Sequence, residues 1–136
     1  MNAQLLICDR IMFLPEEKYH VLEKVLNVID IPVLPYAVNV SVYAKLFDIS
    51  PNEPMEQFIV ITDSRGVMTG NSKPQVVRNM RASDQVPGVD SSFDLTFVVS
   101  RTGIHDLTLY VNGAEQAKYP LTVRMLQQEL RLTGGA

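Results

Sequence analysis

The sequence predicts an all-β protein, an antiparallel immunoglobulin-like β-sandwich of about seven or eight strands. Three observations carry that expectation. Period-two alternation flanks Asn112-Gly113: His105, Leu107, Leu109 and Val111 share one face before it, and Tyr119, Leu121 and Val123 share one face after it. This is the strongest short-range mark of a β-hairpin. The same alternation sets Val38, Val40, Val42, Ala44 and Leu46 against Asn39, Ser41 and Lys45. Turn-forming residues separate these and other short apolar runs, with no internal repeat and no low-complexity tract.

The hairpin register follows from parity. Both apolar sets occupy odd positions, and cross-strand neighbours share a face. A two-residue Asn112-Gly113 loop would pair odd with even, setting Leu107 against Lys118. A three-residue loop ending with Gly113 in the left-handed conformation pairs odd with odd, because it adds one bulged residue. A slip of one residue would turn the whole apolar set to water, so a bulge is expected in the turn.

Taken in order, Leu5 to Phe13 reads as a first strand whose apolar stripe is Leu5, Ile7, Ile11 and Phe13, with Asp9 pointing into that layer. Pro15-Glu16-Glu17 breaks it. Lys18 to Ile31 is ambiguous. Val21, Leu22, Val25, Leu26 and Ile29 recur at helical spacing, while the branching of Val21, Val25, Val28 and Ile29 favours strands. On pattern alone the helix is slightly ahead. Pro32 and Pro35 then hold the chain extended before the strand from Ala37. Pro51-Asn52-Glu53-Pro54 makes a loop, Gln57 to Thr62 another strand, and Asp63-Ser64-Arg65-Gly66 a turn. Val67 to Met80 reads as a short strand and a loop, and Ala82 to Ser91 as a polar, mobile connection. Ser92 to Ser100 alternates Phe93, Leu95, Phe97 and Val99 against polar residues. Residues 1–125 form the expected sandwich and residues 126–136 a tail.

Composition bounds the function. The 136 residues suit one domain with one core. A net charge of −3 with scattered Lys and Arg gives no footprint for nucleic acid or an anionic membrane. Cys8 is the sole cysteine, which excludes an internal disulfide and suits a reducing compartment. The start lacks a basic region followed by a long apolar run, and no stretch reaches the ~20 apolar residues of a membrane span. A cytoplasmic setting is expected.

Leu6-Ile7-Cys8-Asp9, the run Lys18 to Ile31 followed by Pro32 and Pro35, and Gly103 to Val111 with Asn112-Gly113 and Pro120-Leu121-Thr122-Val123 together resemble a widespread bacterial family of small single-domain β-sandwich proteins of unknown function. The resemblance covers roughly residues 4–124, implies the fold, and carries no catalytic residues. It favours a strand over a helix in Lys18 to Ile31, and it implies a glycine near Lys24 that this chain lacks. The ending Leu130-Arg131-Leu132-Thr133-Gly134-Gly135 is similar to that of ubiquitin, whose C-terminal glycine is joined to target lysines. Residues without side chains can thread the narrow channel of an activating enzyme or isopeptidase, and Ala136 would have to be removed to free Gly135.

Chemistry-bearing constellations are sparse: no Gly-x-Gly-x-x-Gly, no Gly-Lys-Ser/Thr, no His-x-x-x-His and no Cys-x-x-Cys. No cofactor or metal is expected, since His20, His105 and Cys8 cannot make an all-protein zinc site without carboxylates. Asp9 and His105 are each polar on an apolar stripe. A buried Asp9 could orient His105 as a general base in a small hydrolase. Alternatively Asp9 accepts backbone N–H bonds and His105 sits at the core's rim. Cys8 could be a thiolate activated by Arg10 or an inert buried thiol. Tyr36, Tyr43, Tyr110 and Phe47 fall on nominally outward faces and could mark a contact surface or pack across strands. An intact fold signal with few site residues points first to a non-enzymatic interaction or accessory module with a protein partner. The alternative is a ubiquitin-like modifier conjugated through Gly134-Gly135, served by an activating enzyme and an isopeptidase. The oligomeric state is left open.

Overall fold

Side-chain alternation does organise this chain, and in the computed structural model, which describes residues 1–126, it produces ten strands and no helix. The strands are β1 (Asn2–Leu14), β2 (Tyr19–Val25), β3 (Val28–Ile31), β4 (Tyr36–Phe47), β5 (Met55–Thr62), β6 (Met68–Asn71), β7 (Gln75–Val77), β8 (Gly88–Val99), β9 (Gly103–Val111) and β10 (Ala114–Met125). One sheet has the order β2-β1-β4-β8, and the other β3-β10-β9-β5-β6, with β7 also paired to β5. Among the described residues only β3 and β10 run parallel. The core lies between the two sheets. Val38, Val40, Val42, Ala44 and Leu46 of β4, with Phe93, Leu95, Phe97 and Val99 of β8, meet Ile59, Ile61, Leu107, Leu109, Leu121 and Val123 of the second sheet.

The β9–β10 hairpin keeps the expected odd-with-odd pairing but places the extra residue elsewhere. Asn112 and Gly113 both take positive φ, 50° and 80°, and form a two-residue turn with Val111 opposite Ala114. That turn twists with its strands, so Asn-Gly adopts it in preference to the three-residue form. The bulge is displaced to Gln116, between Glu115 and Ala117, beyond which Leu109 faces Ala117, Leu107 faces Tyr119 and His105 faces Leu121.

The first strand corrects a second expectation. Leu5, Ile7 and Cys8 are buried, whereas Asp9 is exposed rather than pointing into the apolar layer. The reason is topological. β1 pairs with β4 only as far as Cys8 opposite Ser41, and beyond that it runs on with β2 alone. Asp9 therefore stands where the strand leaves the sandwich and no second sheet covers it. Across from it, between the partners of Cys8 and Arg10, Lys24 takes φ 51°, a left-handed conformation that costs a non-glycine residue about 1 kcal/mol. The arm so formed bends over the outer face of the first sheet, bringing the His20 ring 5.4 Å from that of Tyr43.

Lys18 to Ile31 is extended, as β2 and β3. Its β-branched residues sit on edge strands, where helical spacing has no consequence. The connection from Ala82 to Ser91 is shorter than its polarity suggests, since β8 begins at Gly88, and it is anchored. Met80 N–H donates to the Gly88 carbonyl at 2.8 Å, Asp48 N–H to the Pro87 carbonyl at 2.8 Å, and the N–H groups of Arg81 and Gly88 both donate to Asn79 Oδ1 at 2.9 Å.

One side of the sandwich is closed by β6 lying against β8. A Cβ added at Gly70 would sit 2.8 Å from Phe97 Cβ and 3.3 Å from the Thr96 carbonyl oxygen. The Gly70→Ala variant is therefore expected to lose about 1–3 kcal/mol of stability through overpacking, measured by urea unfolding. A loss below about 0.5 kcal/mol, the range of neutral surface changes, would show that β6 does not seal this side.

Candidate functional site

The polar residues singled out by sequence are scattered by the fold. His105 lies on the inner row of β9, 1% exposed, its ring 5.8 Å from that of Phe97. Its Nδ1 is 3.2 Å from the Gly103 carbonyl oxygen, and its Nε2 is buried without a hydrogen-bond partner. Asp9 is exposed on the other sheet, in a shallow depression shared with Asn39, Ser41, Asp94 and Thr96. Among the described residues no carboxylate reaches the imidazole, and Asp9 and His105 do not form the buried pair that orients a general base. Cys8 is fully buried and burial pushes its thiol up, the reverse of what an attacking thiolate needs.

The three tyrosines occupy three separate places. Tyr36 is exposed at the start of β4, and Tyr43 is half-buried beneath the arm on the outer face of the first sheet. Tyr110 stacks on Phe58 on the outer face of the second sheet, with ring centres 5.2 Å apart and planes 11° from parallel. Tyr43 and Tyr110 pack against neighbouring rings, Tyr36 stands exposed, and the three do not make one surface. Gly134, Gly135 and Ala136 lie outside the described residues.

Two features were not legible beforehand. The first is a charged cluster on the outer face of the first sheet. Asp90 Oδ1 accepts from Lys45 Nζ at 3.1 Å and from Arg81 Nη2 at 2.8 Å, and Lys45 and Asp90 are cross-strand neighbours. Burial works to raise the Asp90 carboxyl, but the hydrogen bonds and charges of Lys45 and Arg81 outweigh it and hold it below the usual carboxylate value. Beside it, burial first and the Asp90 carboxylate second push Tyr43 up to about 12. Only the β4–β8 register, invisible in sequence, brings these groups together.

The second feature is the edge of β2, which pairs with β1 and with nothing on its other side among the described residues. Leu26, just past β2, donates its N–H to the Ile7 carbonyl at 2.7 Å, and Lys18, just before it, donates to the Leu14 carbonyl at 2.7 Å, so β2 is tied to β1 at both ends. Antiparallel pairing alternates the direction of backbone groups, so every second residue of β2 turns its N–H and C=O away from the sheet. Tyr19 is 67% exposed, Val25 47% and Val21 37%, and Phe13 and Leu14 are exposed on the paired strand. Elsewhere Gln57 is fully buried, its Nε2 donating to Ser91 Oγ at 2.8 Å while its Oε1 has no partner. Among the described residues no three His, Cys, Asp or Glu side chains gather as metal ligands would.

No family model matches this sequence and no curated protein matches it. Among solved structures it is similar to the Pseudomonas fluorescens alkylpurine DNA glycosylase AlkC bound to DNA containing an abasic site analog, at 13% identity and a TM-score of 0.36. That match covers 88% of this chain and 30% of the glycosylase chain. A likeness this distant carries no argument about fold or activity.

Two measurements check the cluster and the thiol. In a tyrosine titration followed by ultraviolet absorbance, Tyr43 is expected to ionise only near pH 12, and Asp90→Asn to bring it back toward the ordinary 10.0, because the repelling carboxylate is gone. Asp90 is lowered in the folded state, so its contribution to stability is complete above the unfolded value of 3.8 and drains away as pH falls through the lower native value. Asp90→Asn should remove that part of the acid sensitivity. Cys8 is expected to react with a thiol reagent at the rate of global unfolding; rapid labelling of native protein would contradict its burial.

Proposed function

We propose that this chain is a non-enzymatic interaction module of the immunoglobulin-like sandwich kind, which takes up an extended segment of another protein along the edge of β2. The unpaired β2 edge is the observation that carries the reading. Every second residue of β2 turns its backbone N–H and C=O outward, and Tyr19, Val21 and Val25 add exposed apolar side chains along the strand. Natural edge strands are commonly guarded by inward-pointing charges, proline or a covering loop. β2 contains no proline, and its charges, Glu23 and Lys24, lie toward one end, while Tyr19 at the other end is 67% exposed. A strand added there gains main-chain hydrogen bonds, while side-chain contacts at every second position supply selectivity. The occupant this edge fits is an extended peptide with apolar residues at alternate positions and a basic residue to meet Glu23.

Peptide display against the purified protein tests it directly. The expected binders alternate apolar residues, and on binding they slow amide exchange at every second residue of Tyr19–Val25 while leaving the residues between them little changed. Val21→Lys is expected to weaken those binders at least tenfold with a stability change within about 0.5 kcal/mol, as for other surface substitutions. Protection that maps to the loops at an end of the sandwich, or binding untouched by Val21→Lys, would overturn the assignment to β2.

A further inference from the structure

The outer face of the first sheet carries a second feature, independent of the β2 edge. The anchored segment before β8 and the end of β4 border an open groove of about 440 Å³ lined by Gln4, Lys45, Phe47, Arg81, Gln85 and Val86. Its lining holds two cations, two amides and two apolar side chains, and no carboxylate. Asp90 lies beneath, and its single Oδ1 serves both Lys45 Nζ and Arg81 Nη2.

Charge does not balance there. Two cations share one carboxylate, which leaves one positive charge in the cluster. The other ion pairs among the described residues are one to one: Arg65 with Asp63, Lys118 with Glu115, Arg124 with Asp30. Arg81 spends one terminal nitrogen on Asp90, and the rest of its guanidinium fork keeps N–H groups suited to a planar oxyanion. Its backbone N–H is fixed by Asn79 Oδ1, so the arginine is held in place rather than gathered by a ligand. Lys45 is tied to β4, a central strand paired on both sides.

We infer that the groove between β4 and the segment before β8 binds a small oxyanion, a carboxylate or phosphate monoester, attached to a flat apolar group that lies against Phe47 and Val86. Lys45 and Arg81 neutralise the anion. Gln4 and Gln85 offer amide donors at its margin. Asp90 orients the two cations and, by its own charge, limits how tightly the anion is held.

Two-dimensional amide NMR at low ionic strength, with benzoate and phenyl phosphate as probes and benzylammonium as the cationic control, tests this on the full chain. Either anion is expected to give saturable shifts confined to Lys45, Phe47, Arg81, Gln85 and their neighbours, and the tighter of the two identifies the headgroup. Benzylammonium should give none. Lys45→Gln keeps the Arg81–Asp90 bond while removing the surplus charge, and is expected to weaken binding at least fivefold. Asp90→Asn raises the net positive charge and is expected to tighten it at least threefold. Should Asp90→Asn fail to fold, a fall in affinity on raising salt from 20 to 200 mM, of roughly the size expected when screening sets in, takes its place. Shifts scattered over the surface, equal binding of benzylammonium, or affinity unchanged in Lys45→Gln would each overturn the site.

Discussion

The second sheet depends on one surplus residue. With Gln116 bulged out, β10 presents Leu121 and Val123 to the same side as Leu107 and Leu109 of β9, and all four are fully buried or nearly so. Without it, the pairing would bring Leu107 opposite Lys118 and turn one of the two apolar rows toward water. Burying a leucine side chain is worth roughly 1.5–3 kcal/mol, so the misregistered hairpin would forfeit most of what a small domain has to spare. Because β3 pairs along β10, the position of Ile31 in the core is inherited from the same bulge.

The two sheets treat their margins differently. On the side of β8, Gly70 allows β6 to come down against Phe97, which closes the gap between the layers. At the opposite margin of the first sheet, β1 parts from β4 at Cys8 and carries β2 out as a two-stranded arm. Beyond the pairing of its two strands the arm rests on the sheet through His20 on Tyr43, and most of its residues are exposed or half-buried. Regions of that kind open at lower free energy than a core strand, which suits a segment that must accept a neighbour. The charged cluster lies on the outer surface of the same sheet, with Lys45 on the central strand β4, where the backbone is bonded on both sides, and Asp90 beside it on β8. A rigid polar site and a yielding edge thus share one layer.

How much of this was legible depends on whether the deciding interaction is local. The rows of β4, β8, β9 and β10 follow from parity alone, and the structure places each where alternation puts it. Asp9 was misread because its exposure is set by where β4 stops pairing with β1, a fact about a strand some thirty residues away. The turn at Asn112-Gly113 was read one residue too long because parity demands an extra residue without saying where it goes. Asn79 to Gly88 looks like loose chain in composition, yet the Asn79 side chain caps two N–H groups and fixes it. The Lys45–Asp90 contact joins residues 45 positions apart and requires a known register. The extended state of Lys18 to Ile31 could not be settled by periodicity, since an edge strand satisfies few apolar positions and leaves a helical spacing uncontradicted.

The parallel ladder between β3 and β10 sets the order in which the chain can assemble. Arg124 meets Asp30 across 94 residues, and Ile31 is sealed into the interior only when that ladder closes. During synthesis Val28–Ile31 leaves the ribosome and waits for a partner that lies 94 residues further along the chain. Contacts of such long sequence separation form late, and the two prolines that follow β3 lack the N–H groups that would let the waiting segment extend into a wrong ladder. Birth order and assembly order therefore run against each other here, and the final dozen residues of the described chain act as the clasp that locks one of its earliest.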